Sequence, residues 1–250
     1  MLIVLPPSET KADGGDGPPL QLDALSFGEL TPVRERVART LARASEHPKR
    51  AMVALDLGPT QVGELQRNVD LHRAPTRPAI ERYTGVLYDA LDVASLTVNE
   101  RARANERLAV CSALFGLVRA GDRIPAYRLS AGSKLPRIAS LAAIWKPRLQ
   151  RVLASAASDG LVIDLRSGAY RSLAILPGAI TVRVLTERVD GTRGVVSHSN
   201  KATKGLLARL LVQHVEPCLT LHDVAAVARR AGLTVELQGD YGIDIVLTAA

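Results

Sequence analysis

Residues Leu108–Gly132 read LAVCSALFGLVRAGDRIPAYRLSAG. The first six, Leu108 to Ala113, form an apolar run long enough for a buried strand. The run breaks at Phe115-Gly116, and Arg119, Asp122, Arg123, Tyr127 and Arg128 then crowd into ten residues beside Gly121, Pro125 and Gly132. A loop this dense in charge after a core strand puts polar groups at a strand end, where a rigid sheet can hold them in register.

Working outward, Met1–Leu5 is a second apolar strand, ended by Pro6-Pro7. PPSETK places Ser8, Glu9, Thr10 and Lys11 at its C-terminal end, the position where open sheets take their ligands. Ala12–Pro19 holds three glycines, two prolines and two aspartates and predicts a mobile loop. Leu25–Ser45 is helical in pattern, with Pro32 near the start and Val33, Val37 and Leu41 at spacing four. Arg34, Arg36, Arg39 and Arg43 lie off that stripe and predict a solvated face, the alternative being a binding surface. Residues 53–91 form a helical subregion with a turn at Leu57-Gly58-Pro59-Thr60, and Asn99 is the expected cap of a short helix over Glu100–Arg107.

Downstream, Leu141, Ile144, Trp145, Leu149 and Leu153 share a helix in which Pro147 predicts a kink, and Trp145 reads as a core anchor. Leu161–Leu165 is a strand feeding a polar, glycine-containing loop, Arg166–Ser172, the same arrangement as in the opening stretch. Ala179–Arg188 and Gly194–Ser197 form a hairpin through Asp190-Gly191. Asn200–Val215 is a long helix with Leu206, Leu207, Leu210 and Leu211 on one side and Lys201 opposite, flanked by Lys204 and Arg209. Thr220–Asp223 has the form of a capping box, Ala231-Gly232 closes that helix, and Leu233–Leu237 and Tyr241–Leu247 are the last strands. A repressor-type helix-turn-helix at LTLHDVAAVARRAGLT is rejected, because a strand stands where a recognition helix would be needed. The pattern is α+β: one compact domain over residues 1–250 with a mixed sheet and a helical subregion.

The 250 residues are 47% hydrophobic but only 3% aromatic, so the core is built from Leu, Val, Ile and Ala. A net charge of +7 favours a polyanionic partner, nucleic acid included, although the arginines are scattered rather than run together. Cys111 and Cys218 are too few for a disulfide scaffold and read as reduced, buried thiols of a cytoplasmic protein. No apolar run reaches the ~18 residues that a membrane span needs. The first residues lack the basic leader of a signal peptide.

There is no HExxH, no closely spaced cysteine pair and no GxxxxGK[ST]. The five histidines are scattered, with His198 beside the basic helix the one of interest, so neither a metal site nor a cofactor is expected. Ser8, Ser167 and Ser197 lie near strand ends, but none sits in a GxSxG elbow. Tyr127, Tyr170, Lys11 and Lys201 are candidate proton donors or anion holders. A lysine desolvated beside like charge can serve as a base or nucleophile.

The residues resemble the YaaA family of bacterial peroxide-stress proteins nearly end to end. MLIVLPPSETK is similar to the family's opening strand and its lysine, here Lys11; Tyr83-Thr84-Gly85 matches a Tyr-Thr-Gly element. Ser112–Gly132 resembles the longest signature, contributing Arg119, Asp122, Tyr127 and Arg128. Asp164–Tyr170 contributes Ser167 and Tyr170, and Ser197–Arg209 contributes Lys201, Lys204, Gly205 and Arg209. Gly168-Ala169 stand where some members have an acidic pair, and His198 replaces the usual aromatic. A carboxylate beside Tyr170 would therefore have to be Asp164 or Asp122.

The resemblance implies a one-domain α+β fold with a positively charged cleft and a helix-hairpin-helix-like element. It also implies duplex or distorted DNA as ligand and a role in limiting peroxide- and iron-dependent damage. Two function classes follow. One is a DNA binder whose cleft is lined by Lys11, Arg119, Arg128, Ser167, Lys201, Lys204 and Arg209. The other is an enzyme acting on a small anionic or nucleotide-like substrate, with Asp122, Tyr127, Tyr170 and Lys201 as its catalytic groups. Arg128 is the residue expected to be buried and aimed at an anion before a ligand arrives. Composition leaves the oligomeric state open.

Overall fold

The computed structural model describes residues 1–248. Its strands are β1 (Leu2–Leu5), β2 (Arg77–Pro78), β3 (Leu108–Ser112), β4 (Gly116–Arg119), β5 (Arg123–Ile124), β6 (Val162–Asp164), β7 (Ile180–Glu187), β8 (Arg193–Gly194), β9 (Thr234–Gln238) and β10 (Gly242–Thr248). Its helices are α1 (Thr31–Ser45), α2 (Pro48–Leu55), α3 (Glu64–Val69), α4 (Ala79–Arg82), α5 (Val86–Leu91), α6 (Val98–Arg107), α7 (Leu141–Ser158), α8 (Gly168–Arg171), α9 (Ser197–Gln213) and α10 (Leu221–Arg230).

The main sheet runs β4-β3-β1-β6-β7-β10-β9, with β8 attached to β7. Strands β3, β1, β6, β7 and β10 are mutually parallel, while β4, β8 and β9 pair antiparallel. This is the mixed α+β architecture that the pattern predicts. Every residue of β1, β3 and β6 is buried, which is why those strands read as continuous apolar runs: helices cover both of their faces. β7 alternates buried and more exposed positions through most of its length, as a strand with one open face does.

The chain passes from β1 to β3 on one side, then returns through α7 to place β6 on the other side of β1. The loops after β1 and β6 consequently lead away in opposite directions and leave a crevice between them, the usual ligand position of an open sheet.

Several local expectations change. The return strand expected over Gly194–Ser197 is only β8, Arg193–Gly194, and Ser197 already opens α9. Phe115-Gly116 ends β3 by turning it into the antiparallel β4, so the charged loop follows a hairpin rather than the first strand. Gly116 makes that turn at φ 71°, with the Trp145 ring so close that an added Cβ would sit 2.6 Å from it. Trp145 is fully buried and donates to the Ala113 carbonyl at 2.8 Å. Arg34 is buried, not solvated: it donates to the carbonyls of Phe115 and Leu117 in the β3–β4 hairpin and to that of Ser26 in the segment before α1. The cap of α6 is Thr97, not Asn99, and forms a capping box with Glu100. Finally, Ala12–Pro19 is tied down. Buried Arg82 donates to the carbonyls of Ala12 and Gly14, and Gly17 bridges to Thr76. One buried guanidinium supplies the donors that a glycine-rich loop lacks partners for.

Candidate functional site

The crevice between the β1 and β6 ends is a cleft of about 900 Å³. Its walls come from the loop Pro6–Thr10, the segment Leu165–Arg171, the start of α5 with Thr84–Gly85, the start of α9 with Val195 before it, and Val182–Val184 of β7. Ser130–Gly132, the end of the opening stretch, close one side.

Lys201 and Lys204 enter the cleft from α9, one turn apart on the same face. Lys201 is exposed, whereas Lys204 is 8% exposed. The reason is Gly205, whose missing side chain lets α9 press on α5; an added Cβ would lie 2.0 Å from the Leu87 carbonyl oxygen. That close crossing drives the neighbouring lysine inward, where its Nζ donates to the Leu165 carbonyl at 3.3 Å. Burial, followed by the nearby Arg171 charge, lowers its pKa to about 8. Asp164, the nearest carboxylate, is claimed by Arg166 through two bonds of 2.8 and 2.9 Å.

Lys11 stands behind the cleft wall. It is 7% exposed, donates to the carbonyls of Ser8 and Glu9 at 3.0 and 3.2 Å, and lies 4.3 Å from the centre of the Tyr127 ring. Burial first, then the Arg128 charge, lowers its pKa to about 7. Its task in the fold is to hold the Ser8–Glu9 loop. Arg128 is 9% exposed and donates to Glu9 at 2.6 Å, while Asn68 bonds both its backbone N–H and its carbonyl. Its burial is as expected, but its guanidinium is taken by Glu9, and it is Glu9 rather than Arg128 that borders the cleft.

Residues 1–236 match the family described as peroxide stress protein YaaA. The chain is 50% identical to a UPF0246 protein of Corynebacterium efficiens over 239 residues, which covers 95% of each. It is 47% identical to a UPF0246 protein of Streptomyces coelicolor over 215 residues, covering 85% of this chain and 83% of the relative. This chain belongs to the YaaA family.

Against the family's signature positions, the structure gathers some residues and separates others. Ser167, Tyr170, Lys201 and Lys204 line the cleft together. Tyr127 is buried beside it, its hydroxyl bonded to Ser112 and Tyr83 at 2.7 and 2.8 Å. Asp122 lies outside, with its carboxylate accepting from the Ser26 N–H and hydroxyl and from the Arg119 N–H. Arg119 itself bonds the Glu106 carbonyl and faces Phe27. Arg209, two turns beyond Lys201, ties down the end of α5 through the carbonyls of Leu91 and Asp92. Asp122, Tyr127 and Tyr170 therefore do not converge, because the β3–β4 hairpin carries Asp122 out to the sheet edge.

Sequence reasoning missed Arg171 and Asn200 as lining residues. Arg171 stands four residues after Ser167 on the one-turn helix α8, a spacing that could have suggested a shared face. Among the described residues, no group of three or more His, Cys, Asp or Glu is placed to hold a metal ion, and no helix is long and apolar enough to cross a membrane. Both cysteines are free and buried.

Proposed function

We propose that this peroxide-stress family member binds DNA through the cleft, taking up a distorted or unpaired segment rather than an intact duplex. The observation that carries the reading is the convergence of Lys201, Lys204 and Arg171 along a crevice of about 900 Å³ at the sheet's switch point. Pockets of roughly 300–1,000 Å³ suit ligands on the scale of a nucleotide or two. A stacked, paired duplex does not fit so small a space, but a nucleotide swung out of the stack does. The net charge of +7 adds long-range attraction. The helical subregion over 53–91, read as the helix-hairpin-helix-like element, adds Thr84 and Gly85 to the wall and supplies a second contact. Occupying damaged DNA in this way would help limit oxidative and iron-dependent harm.

Fluorescence anisotropy tests this with three labelled oligonucleotides of equal length: a perfect duplex, a duplex with a two-nucleotide bulge, and a single strand. The bulged and single-stranded forms should bind at least ten-fold more tightly than the duplex. All affinities should fall steeply from ~50 to ~200 mM salt, because each neutralised phosphate releases counterions. Absence of binding, or binding indifferent to salt, overturns the reading.

A second reading, an enzyme acting on a small anionic or nucleotide-like substrate, is favoured by the burial of Lys204 without an ion-pair partner among the described residues. Nucleoside phosphates that displace the oligonucleotides at micromolar concentration would support it.

A further inference from the structure

We propose that Lys204 is a nucleophilic amine that forms an imine with the aldehyde of a phosphorylated sugar held in the cleft. The inference rests on the cleft as a phosphate-binding site and adds a chemical class to its ligand.

Three observations carry it. The chain makes very selective use of lysine: only six of its 32 lysines and arginines are lysine, yet two of the six line this one cleft. Arginine would serve a plain anion contact at least as well, but it does not give up its proton and so cannot act as an amine nucleophile. The second observation is the setting of the Lys204 Nζ. It is buried against the cleft wall, its partner is one backbone carbonyl at 3.3 Å, and no carboxylate among the described residues holds it as an ammonium ion. Two of its bonding positions remain for a ligand. The third is the lack of a rival among the described residues that line the cleft: Lys11, whose pKa is lowered further, to about 7, stands behind the wall with its Nζ donating to the Ser8 and Glu9 carbonyls. The Cys111 thiol is fully buried and pushed up to about 11, chiefly by burial. Among the described residues the Ser8 hydroxyl pairs only with Thr10, and neither it nor Ser167 bonds to a histidine or carboxylate that could activate it. Lys201, exposed one turn earlier on the same face, is placed to take the phosphate.

The step balances without an oxidant or reductant. The neutral amine adds to the carbonyl carbon, its proton passes to the carbonyl oxygen, and the carbinolamine loses water to give the imine. The lowered pKa of Lys204, about 8, leaves a working share of neutral amine near neutral pH. Two sources offer this chemistry. Peroxide-driven attack on deoxyribose leaves aldehydic sugars beside DNA phosphates, and free sugar phosphates carry the same group.

The test incubates the full chain with sodium cyanoborohydride and either a bulged oligonucleotide bearing an abasic aldehyde or deoxyribose 5-phosphate, then maps the reduced adduct by peptide mass spectrometry. Lys204 should be labelled at least ten-fold more than Lys146, an exposed lysine on α7 remote from the cleft. Yield should rise between pH 6 and pH 8. Preference for the oligonucleotide assigns the ligand to DNA, and preference for the sugar phosphate assigns it to a free metabolite. Lys204→Arg should lose at least 90% of the trapping and Lys146→Arg none. Mapping on the unaltered chain decides the matter should Lys204→Arg fail to fold. Labelling of Lys204 no greater than that of Lys146 overturns the proposal. Anisotropy with a tetrahydrofuran abasic analogue, which has no aldehyde, reports DNA binding separately, so that the two readings can fail independently.

Discussion

Arg128 has its backbone locked by Asn68 and its side chain spent on Glu9. The 2.6 Å pair has unequal partners: the arginine side chain is 11% exposed and the glutamate 65%. A ligand anion that displaces Glu9 would find the guanidinium already aimed, since the loop carrying it cannot swing. Arg128→Lys keeps the charge but loses the planar fork. In a desolvated contact that should weaken binding of the bulged oligonucleotide by about 2 kcal/mol, roughly thirty-fold. Glu9→Gln should tighten binding by removing the competing carboxylate. Titrations of both variants check this, and equal affinities would place Arg128 outside the ligand's reach.

The buried lysines also make stability depend on pH. Lys11 and Lys204 have folded pKa values of about 7 and about 8, both below the 10.5 of an exposed lysine. Between those values and 10.5 the unfolded chain binds more protons than the folded one, so these two residues make stability rise with pH across that window. Their charging penalty is fully present below about pH 7. Lys11→Met should flatten the rise, and thermal melts of both proteins from pH 6 to pH 9.5 measure the difference in slope.

At the scale of elements, the crossing of α5 and α9 decides where the cleft's cations lie. Gly205 permits it, with the Leu87 carbonyl oxygen and the Ala90 Cβ at 2.0 and 2.9 Å from the place of an added Cβ. Gly205→Ala should force the helices apart and destabilise the fold by about 3 kcal/mol, as overpacking at a rigid backbone does. Urea unfolding would show a lower midpoint with an unchanged slope. The α6 cap is a milder case: Thr97→Ala removes the bond to the Glu100 N–H and should cost about 1 kcal/mol. Thr97 could have been read from the sequence, since Thr97-x-x-Glu100 is the capping-box pattern, but Asn99 two residues later is also a good capping residue. Only the backbone conformation chooses between them.

At the scale of the whole molecule, the core shields both thiols. Cys111 lies in fully buried β3, and Cys218 is buried near the start of α10. Burial raises both pKa values, to about 11 for Cys111. Iodoacetamide should therefore leave the native chain unmodified at pH 7.5 and label both cysteines in urea, as intact-mass spectrometry would show. The same protection should hold against millimolar peroxide. The chain's part in peroxide stress would then lie in what it binds rather than in oxidation of its own sulfur.

The sequence by itself determined the strands buried on both faces, because a strand without a wet side is written as an unbroken apolar run. It also determined the five longest helices, α1, α6, α7, α9 and α10, chiefly through apolar spacing and, for α10, its capping box, and the family, through motifs spread along nearly the whole chain. The tertiary structure decided which charges meet. Arg34 and Lys204 carry the same formal charge as exposed Lys201, yet one stitches the β3–β4 turn, another is buried in the cleft wall, and the third faces water. Asp122 and Tyr127 stand five residues apart in the chain, but the hairpin sends one to the sheet edge and the other into the core. Charge carries no periodic signature of its own destination. A guanidinium or ammonium group goes where unpaired carbonyls and close helix crossings leave it room, and those are created only when segments distant in sequence pack together.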